Sequence, residues 1–225
     1  GLNGSTSNMT LEFLMMARTA LSLALSLLIP TVALADGPAT VEEAISAVEA
    51  KYSDVTAMNA QFVQTVRNPM FGDDVQSGEV TLARPSKMRW DFGDGARQFV
   101  TNGSTMWIYT QADNQVIQYD GFTASAGGAE SLLSSLDTLD ELYNVSLVSS
   151  EPTVLSLEPK EQGQFKTVTL TLSADLLVDR VAIVDAYDSV TEIDFDGMQL
   201  NAPTPDSVFV FDVPAGATVV DAGTL

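Results

Sequence analysis

Between residues 58 and 213 the chain divides into roughly a dozen short runs in which apolar and polar residues alternate, each closed by a turn signal. Period-two alternation marks a strand with one dry and one wet face, and closely spaced turns favour antiparallel neighbours. The runs fall at 58–67, 77–84, 87–92, 97–101, 105–110 and 115–119, then at 144–149, 153–158, 165–172, 177–186, 190–196 and 207–213. Separators include Gly72-Asp73-Asp74, Gly93-Asp94-Gly95 and Asn102-Gly103, the last a strong hairpin signal. No Gly-Ser or Pro-rich linker and no internal repeat divides the two series. The pattern predicts a single domain built on one large antiparallel sheet, curled into a barrel or half-barrel.

Two segments break the rhythm. Thr40 and Glu43 have the spacing of a capping box, and Val41, Ala44, Ile45 and Val48 recur at helical intervals toward Tyr52, which predicts one amphipathic helix. The second break, GFTASAGGAESLLSSLDTLDELY, covers residues 121–143. Gly127-Gly128 make a flexible start, after which Leu132, Leu133, Leu136, Leu139, Leu142 and Tyr143 form one face of a helix, or of two short helices broken near Asp137. A Leu stripe set in the middle of a sheet must lie on something apolar. It is either a permanent plug or a movable lid, and the pattern fits both.

The first residues carry a different signal. From Met16 one positive charge (Arg18) precedes an apolar run that ends at Ala33, Leu34 and Ala35, before Asp36. This is the form of a cleavable secretory signal peptide, too short to anchor in a bilayer. Residues 1–35 are expected to be removed, leaving a single domain over 36–225 that is exported to the periplasm. The chain contains no cysteine, so neither a disulfide nor a lipid-attachment cysteine is available and the product should be soluble. Arg18 and Glu12 cancel, so the mature chain keeps the formal net charge of −20, which makes nucleic acid and anionic membranes poor partners.

Catalytic apparatus is hard to find. Without cysteine or histidine, Ser-His-Asp and Cys-His nucleophiles and the usual zinc sites are excluded. The carboxylate pairs Asp73/Asp74, Asp140/Glu141 and Asp194/Asp196 are expected by chance among 30 acidic residues. The turns at 91–95 and 194–197 lack the ligand number of an EF-hand, and no glycine cluster sits between strand and helix as a phosphate loop requires. The expectation is a protein without enzymatic activity, metal or cofactor.

Several stretches together resemble a known family. They are QFVQ (61–64), the spacing Gly78, Arg84, Pro85, Trp90, the run FVTNGSTMWIY (99–109), and FVFDVPAGATVV (209–220). In this order, over nearly the whole mature chain, they resemble the periplasmic lipoprotein carriers of the LolA type. The resemblance implies a mainly β fold with a helical lid: a half-open antiparallel β-barrel of about eleven or twelve strands over a hydrophobic cavity, closed by about three short helices. It implies a monomer that takes acylated lipoproteins from an inner-membrane ABC transporter and hands them to an outer-membrane receptor.

The resemblance also implies roles for single residues. In the family, the arginine of the RP pair bonds backbone carbonyls of the lid and holds the empty carrier shut. Arg84 and Pro85 stand at that position as the lid latch. A guanidinium offers several donors and keeps its charge, while Pro85 removes a ladder donor and bends the chain. Met88, Trp90 and Phe92 share one strand face, and Phe99 holds the family's equivalent apolar position on the next strand. With Leu132, Leu133, Leu136 and Leu139 from the helical segment, they are the candidate acyl-chain contacts; ordinary packed core is the alternative for each. Phe62, Trp107 and Tyr109 read as structural, and alternation alone does not tell which strand face is concave. A carrier of another amphiphile, such as a glycolipid or pigment precursor, and a non-transporting β-domain remain compatible with the sequence.

Overall fold

The computed structural model describes residues 37–222 apart from 69, 71, 94, 123–128 and 162–164. The expected signal peptide and the Gly127-Gly128 start of the lid segment lie outside the described residues. Helix α1 (Val41–Tyr52) opens as its sequence dictates. The Thr40 side chain accepts from the Glu43 amide at 3.2 Å, and the Glu43 carboxylate reaches back to the Ala39 amide at 2.9 Å. Ala44, Val48 and Tyr52 form its buried stripe.

Twelve strands follow in one sheet: β1 (Ala57–Asn68), β2 (Gly72–Ala83), β3 (Lys87–Phe92), β4 (Arg97–Asn102), β5 (Thr105–Thr110), β6 (Gln115–Asp120), β7 (Tyr143–Ser150), β8 (Thr153–Pro159), β9 (Phe165–Leu172), β10 (Val178–Asp185), β11 (Val190–Leu200) and β12 (Thr218–Asp221). Between β6 and β7 come the short helices α2 (Ala129–Ser134) and α3 (Leu139–Leu142), separated by a turn at 135–138 that contains Asp137. The spatial order is β12-β6-β5-β4-β3-β2-β1-β11-β10-β9-β8-β7, so the sheet does not close and β12 and β7 are its edges. Every pairing is antiparallel except β12 with β6. This is the half-open, lidded β architecture expected from the sequence.

Curvature follows from the aromatic contacts. Three strand spacings separate β3 from β11 in the sheet order, about 14 Å along a flat sheet. Yet the rings of Trp90 on β3 and Phe195 on β11 come within 6.3 Å. Side chains can meet across that gap only if the face they share is concave. That face also carries Met58, Phe62, Leu82, Met88 and Phe92, and one continuous core joins them to α1 and to Leu132, Leu133, Leu136 and Leu139. Gly78 permits this packing: a Cβ there would overlap the Asp91 carbonyl oxygen and crowd the Phe62 ring.

Two sequence expectations need correction. Gly72-Asp73-Asp74 is no separator but the first turn-proximal part of β2, paired with β1 from Asn68↔Gly72 onward. The end of this long hairpin is held by charge instead of burial, with Arg67 bridging Asp73 at 3.9 Å and also Glu192. The run 207–213 is not a strand. It begins in a 3-10 turn (Asp206–Phe209) and continues extended without a ladder; the final strand, β12, lies beyond it. Prolines 203, 205 and 214 around it offer no backbone donors.

The segment instead crosses the convex face. Phe209 is buried, and Phe211 stacks on Trp107 with centroids 5.9 Å apart. Arg89 donates to the Val208 carbonyl at 3.3 Å, and Lys87 meets Asp206 at 2.7 Å. Beneath this strap Val100, Tyr109 and Val116 are buried, which puts Trp107 and Tyr109 on the convex side and Met106 and Ile108 on the concave one. Phe209→Ala should therefore destabilise the protein by about 3–5 kcal/mol. Urea unfolding measures the loss, and hydrogen exchange should show the β12 amides losing protection in the same variant.

Candidate functional site

The site begins where β2 stops. Pro85 cannot continue the ladder, and Arg84-Pro85-Ser86 form the turn to β3. Arg84 therefore leaves the sheet at its rim, next to the end of α1 and the turn between α2 and α3. Its Nη1 donates to the Asp137 carboxylate at 2.7 Å, and its Nη2 to the Tyr52 carbonyl at 3.5 Å. One side chain thus ties the sheet rim to the C-terminus of α1 and to the helical cover. The acceptors named by the resemblance were lid carbonyls; here the lid presents the Asp137 carboxylate, and the carbonyl acceptor is that of Tyr52 in α1.

The electrostatics match this geometry. The hydrogen bond from Arg84 holds the Asp137 carboxyl below its usual range, against the opposing effect of burial. The same bond raises the Arg84 guanidinium above its usual value. Arg84 is 39% exposed, so solvent screens the pair and limits its worth to about 0.2–1 kcal/mol. A second clasp lies beside it, where the Asp140 amide of α3 donates to Glu49 of α1 at 3.2 Å. Tyr52 is anchored from below: its hydroxyl donates to the Leu176 carbonyl at 3.1 Å, and burial pushes its pKa up to about 12.

Under the latch lies a cavity of about 340 Å³, lined by Tyr52, Val55, Met58, Leu82, Arg84, Pro85, Leu133 and Leu142 among others. That volume stands at the low end of the range for small-molecule sites, roughly 300–1,000 Å³. Of the candidate acyl-chain residues Leu133 lines this cavity, whereas Met88, Trp90 and Phe92 of the concave face and Leu132, Leu136 and Leu139 of the cover are buried in the packed core beside it. Phe99 is half-buried at the edge of this core, 5.8 Å from Phe92. Leu142, which the helical stripe included, is 46% exposed, and Tyr143 already belongs to β7.

Reading the sequence missed several members of the site. Phe62 packs edge-on against both Trp90 and Phe92 at 4.9 Å, so it belongs to the concave aromatic cluster. Phe195 joins it from β11. Asp137 was visible only as the polar break in a Leu stripe, and nothing local marks it as the partner of Arg84. Among the described residues no group of three or more acidic side chains is placed to hold a metal ion, and no helix is long and apolar enough to cross a membrane.

An open curled sheet, an apolar concave face and a latched helical cover define a lidded, half-open β-sheet protein with an apolar binding cavity. The family model of the outer membrane lipoprotein carrier protein LolA matches residues 53–212, and the chain belongs to that family. An outer-membrane lipoprotein carrier protein of Methylobacillus flagellatus is 29% identical over 205 residues, covering 88% of this chain and 96% of that one. A protein of the same description from Chromobacterium violaceum is 28% identical over 181 residues, covering 79% and 87%. Among solved structures, a LolA superfamily protein from Nitrosomonas europaea aligns with a TM-score of 0.44 at 13% identity, over 77% of this chain and 99% of that one.

The latch gives a pH prediction. A carboxyl whose pKa is depressed on folding stabilises the folded state above the unfolded pKa, about 3.9, and loses that contribution as pH falls through the folded value. Asp137→Asn should lower stability by about 0.2–1 kcal/mol at pH 7, with the gap to the parent protein narrowing once the pH falls below the unfolded value of about 3.9. Urea midpoints at pH 7 and below that value check it. A gap that ignores pH would assign the loss to packing.

Proposed function

We propose that this protein is a periplasmic carrier that shelters the acyl chains of lipoproteins and shuttles them from an inner-membrane ABC transporter to an outer-membrane receptor. The observation that carries the reading is the latched helical cover over an apolar concave face. Relatives covering most of the chain are named outer-membrane lipoprotein carrier proteins, which supports the cargo class. The signal-like residues 16–35 support export, and a family of carriers supports a role without catalysis.

The energetics suit transfer. Acyl chains in water cost about 0.8 kcal/mol per CH₂, so a carrier must offer them a large apolar surface. A cavity of about 340 Å³ is too small for several chains, so loading requires the Leu-lined cover to move away from the sheet. A cover held by Arg84 and the Glu49–Asp140 contact resists that motion only weakly, so cargo opens it and its departure lets it close. Met88 and Met58 suit such a surface because a thioether adapts to varied chains.

Native mass spectrometry of the protein purified from periplasm, before and after organic extraction, tests the assignment. A triacylated lipoprotein adduct is expected; an adduct with a smaller lipid would move the cargo to another amphiphile. Arg84→Leu should leave the fold intact and shift the balance toward the open, loaded state by up to about fivefold. Its release of cargo to outer-membrane vesicles should slow while its uptake continues. Normal release by this variant would remove Arg84 from the latch.

A further inference from the structure

Acidic residues outnumber basic ones three to one in this chain, with 30 Asp and Glu against 10 Lys and Arg. Among the described arginines, Arg67, Arg84, Arg89 and Arg180 each hold a carboxylate. Arg97 does not. It is paired with Phe92 across β3 and β4, which puts it on the concave face, at the end away from the latch. Its guanidinium carbon lies 4.3 Å over the Phe92 ring and 5.2 Å from that of Phe99. Its Nε is buried and has no hydrogen-bond partner. Asp74 attracts it from a distance without forming an ion pair, and burial pulls its pKa down.

A second orphaned donor lies in the same cluster. The indole N–H of Trp90 is buried without a partner, and its ring stacks 6.3 Å from Phe92. Leaving a buried donor unpaired is unfavourable, and a charged one more so. These two donors belong to side chains packed about the same Phe92 ring, on the face that would receive acyl chains, and both lack an oxygen acceptor. From Arg97 a shelf of half-buried apolar residues, Phe99, Ile108 and Ile117, runs across β4, β5 and β6 in one register row, long enough for an aliphatic chain to lie on.

We propose that Arg97 and the Trp90 indole form a polar anchor on the concave face for the acyl oxygens of a bound amphiphile, either a carboxylate or an ester carbonyl. The anchor rests on the carrier reading and refines it. The aliphatic chain lies against the aromatic and aliphatic side chains while its oxygen takes the N–H groups the protein leaves free. A guanidinium over aromatic rings keeps its donors directed outward, as a bare lysine ammonium would not.

The test is displacement of N-phenyl-1-naphthylamine, a neutral fluorescent probe, from the mature protein by three 12-carbon competitors: laurate, methyl laurate and dodecyltrimethylammonium. Laurate should compete about ten-fold better than the cation, although the net charge of −20 favours the cation. Arg97→Met, which keeps apolar cover on Phe92, should abolish that preference while probe affinity stays unchanged. Arg97→Lys should restore part of it. Trp90→Phe, which removes the indole donor along with part of a buried ring, should weaken laurate and methyl laurate several-fold more than it weakens the probe.

Methyl laurate matching laurate would identify an ester carbonyl as the natural acceptor; laurate well ahead of it would identify a carboxylate. The anchor is overturned if the competitors keep the same ranking in parent, Arg97→Met and Trp90→Phe proteins, or if the parent shows no preference for laurate. If the parent fails to bind the probe at all, the apolar cavity and the carrier reading fail with it. Should Arg97→Met not fold, by circular dichroism, the Trp90→Phe and Arg97→Lys comparisons decide alone.

Discussion

An apolar sheet face that does not close on itself has to be covered, and most of this structure answers that requirement. A closed barrel would satisfy its strands by ring closure, but here β12 and β7 end the sheet on either side. The concave face carries Met58, Phe62, Leu82, Met88, Trp90 and Phe92, each worth about 1.5–3 kcal/mol when removed from water. Helices α1, α2 and α3 supply the cover through small, separable contacts. The cover is part of the same chain, with α2 and α3 inserted between β6 and β7, and its leucines complete the core of the concave face. Under the proposed carrier role, acyl chains would take the place of those leucines on the sheet.

The polar groups around this core are arranged in contrast to it. On the convex side the strap through Phe209 and Phe211 is fixed by stacking and by the Lys87–Asp206 and Arg89–Val208 contacts. On the concave rim the contacts include Arg84 with Asp137 and with the Tyr52 carbonyl, Glu49 with the Asp140 amide, and Lys160 with the Asp140 carbonyl. The strap thus covers the convex face, and the proposed carrier role assigns the releasable layer to the concave one. The partly exposed ion pair at the rim suits a latch, because screening keeps it weak enough to break. The surplus of carboxylates disfavours contact with anionic membrane surfaces.

How much could be read in advance varies with distance along the chain. Most strand runs were legible to within a residue or two, as with β3 and β5, because alternation and turn residues are local. The helix break at Asp137 was legible for the same reason. The run 207–213 was not, since alternation there reflects packing of Phe209 and Phe211 on a neighbouring face instead of pairing in a ladder. Gly72 to Asp74 failed in the opposite sense: turn-forming residues were recruited into β2 because a long partner, β1, was already in register.

By itself the sequence determined the segmentation of the chain, the period of each segment and the excess of apolar surface needing cover. It also determined the absence of cysteine and histidine chemistry, and the RP corner that ejects Arg84 from the sheet. Tertiary structure decided which strand face is concave, and so that Trp90 and Phe99 lie on the concave side while Trp107 and Tyr109 lie under the strap. It also decided that Arg84 meets Asp137 across 53 residues, and that Arg97 meets aromatic rings and no carboxylate. The reason is that a period-two pattern fixes which residues share a face, whereas curvature and long-range pairing are set by how whole strands pack against each other. A charge finds its partner, or is left without one, only after that packing is complete.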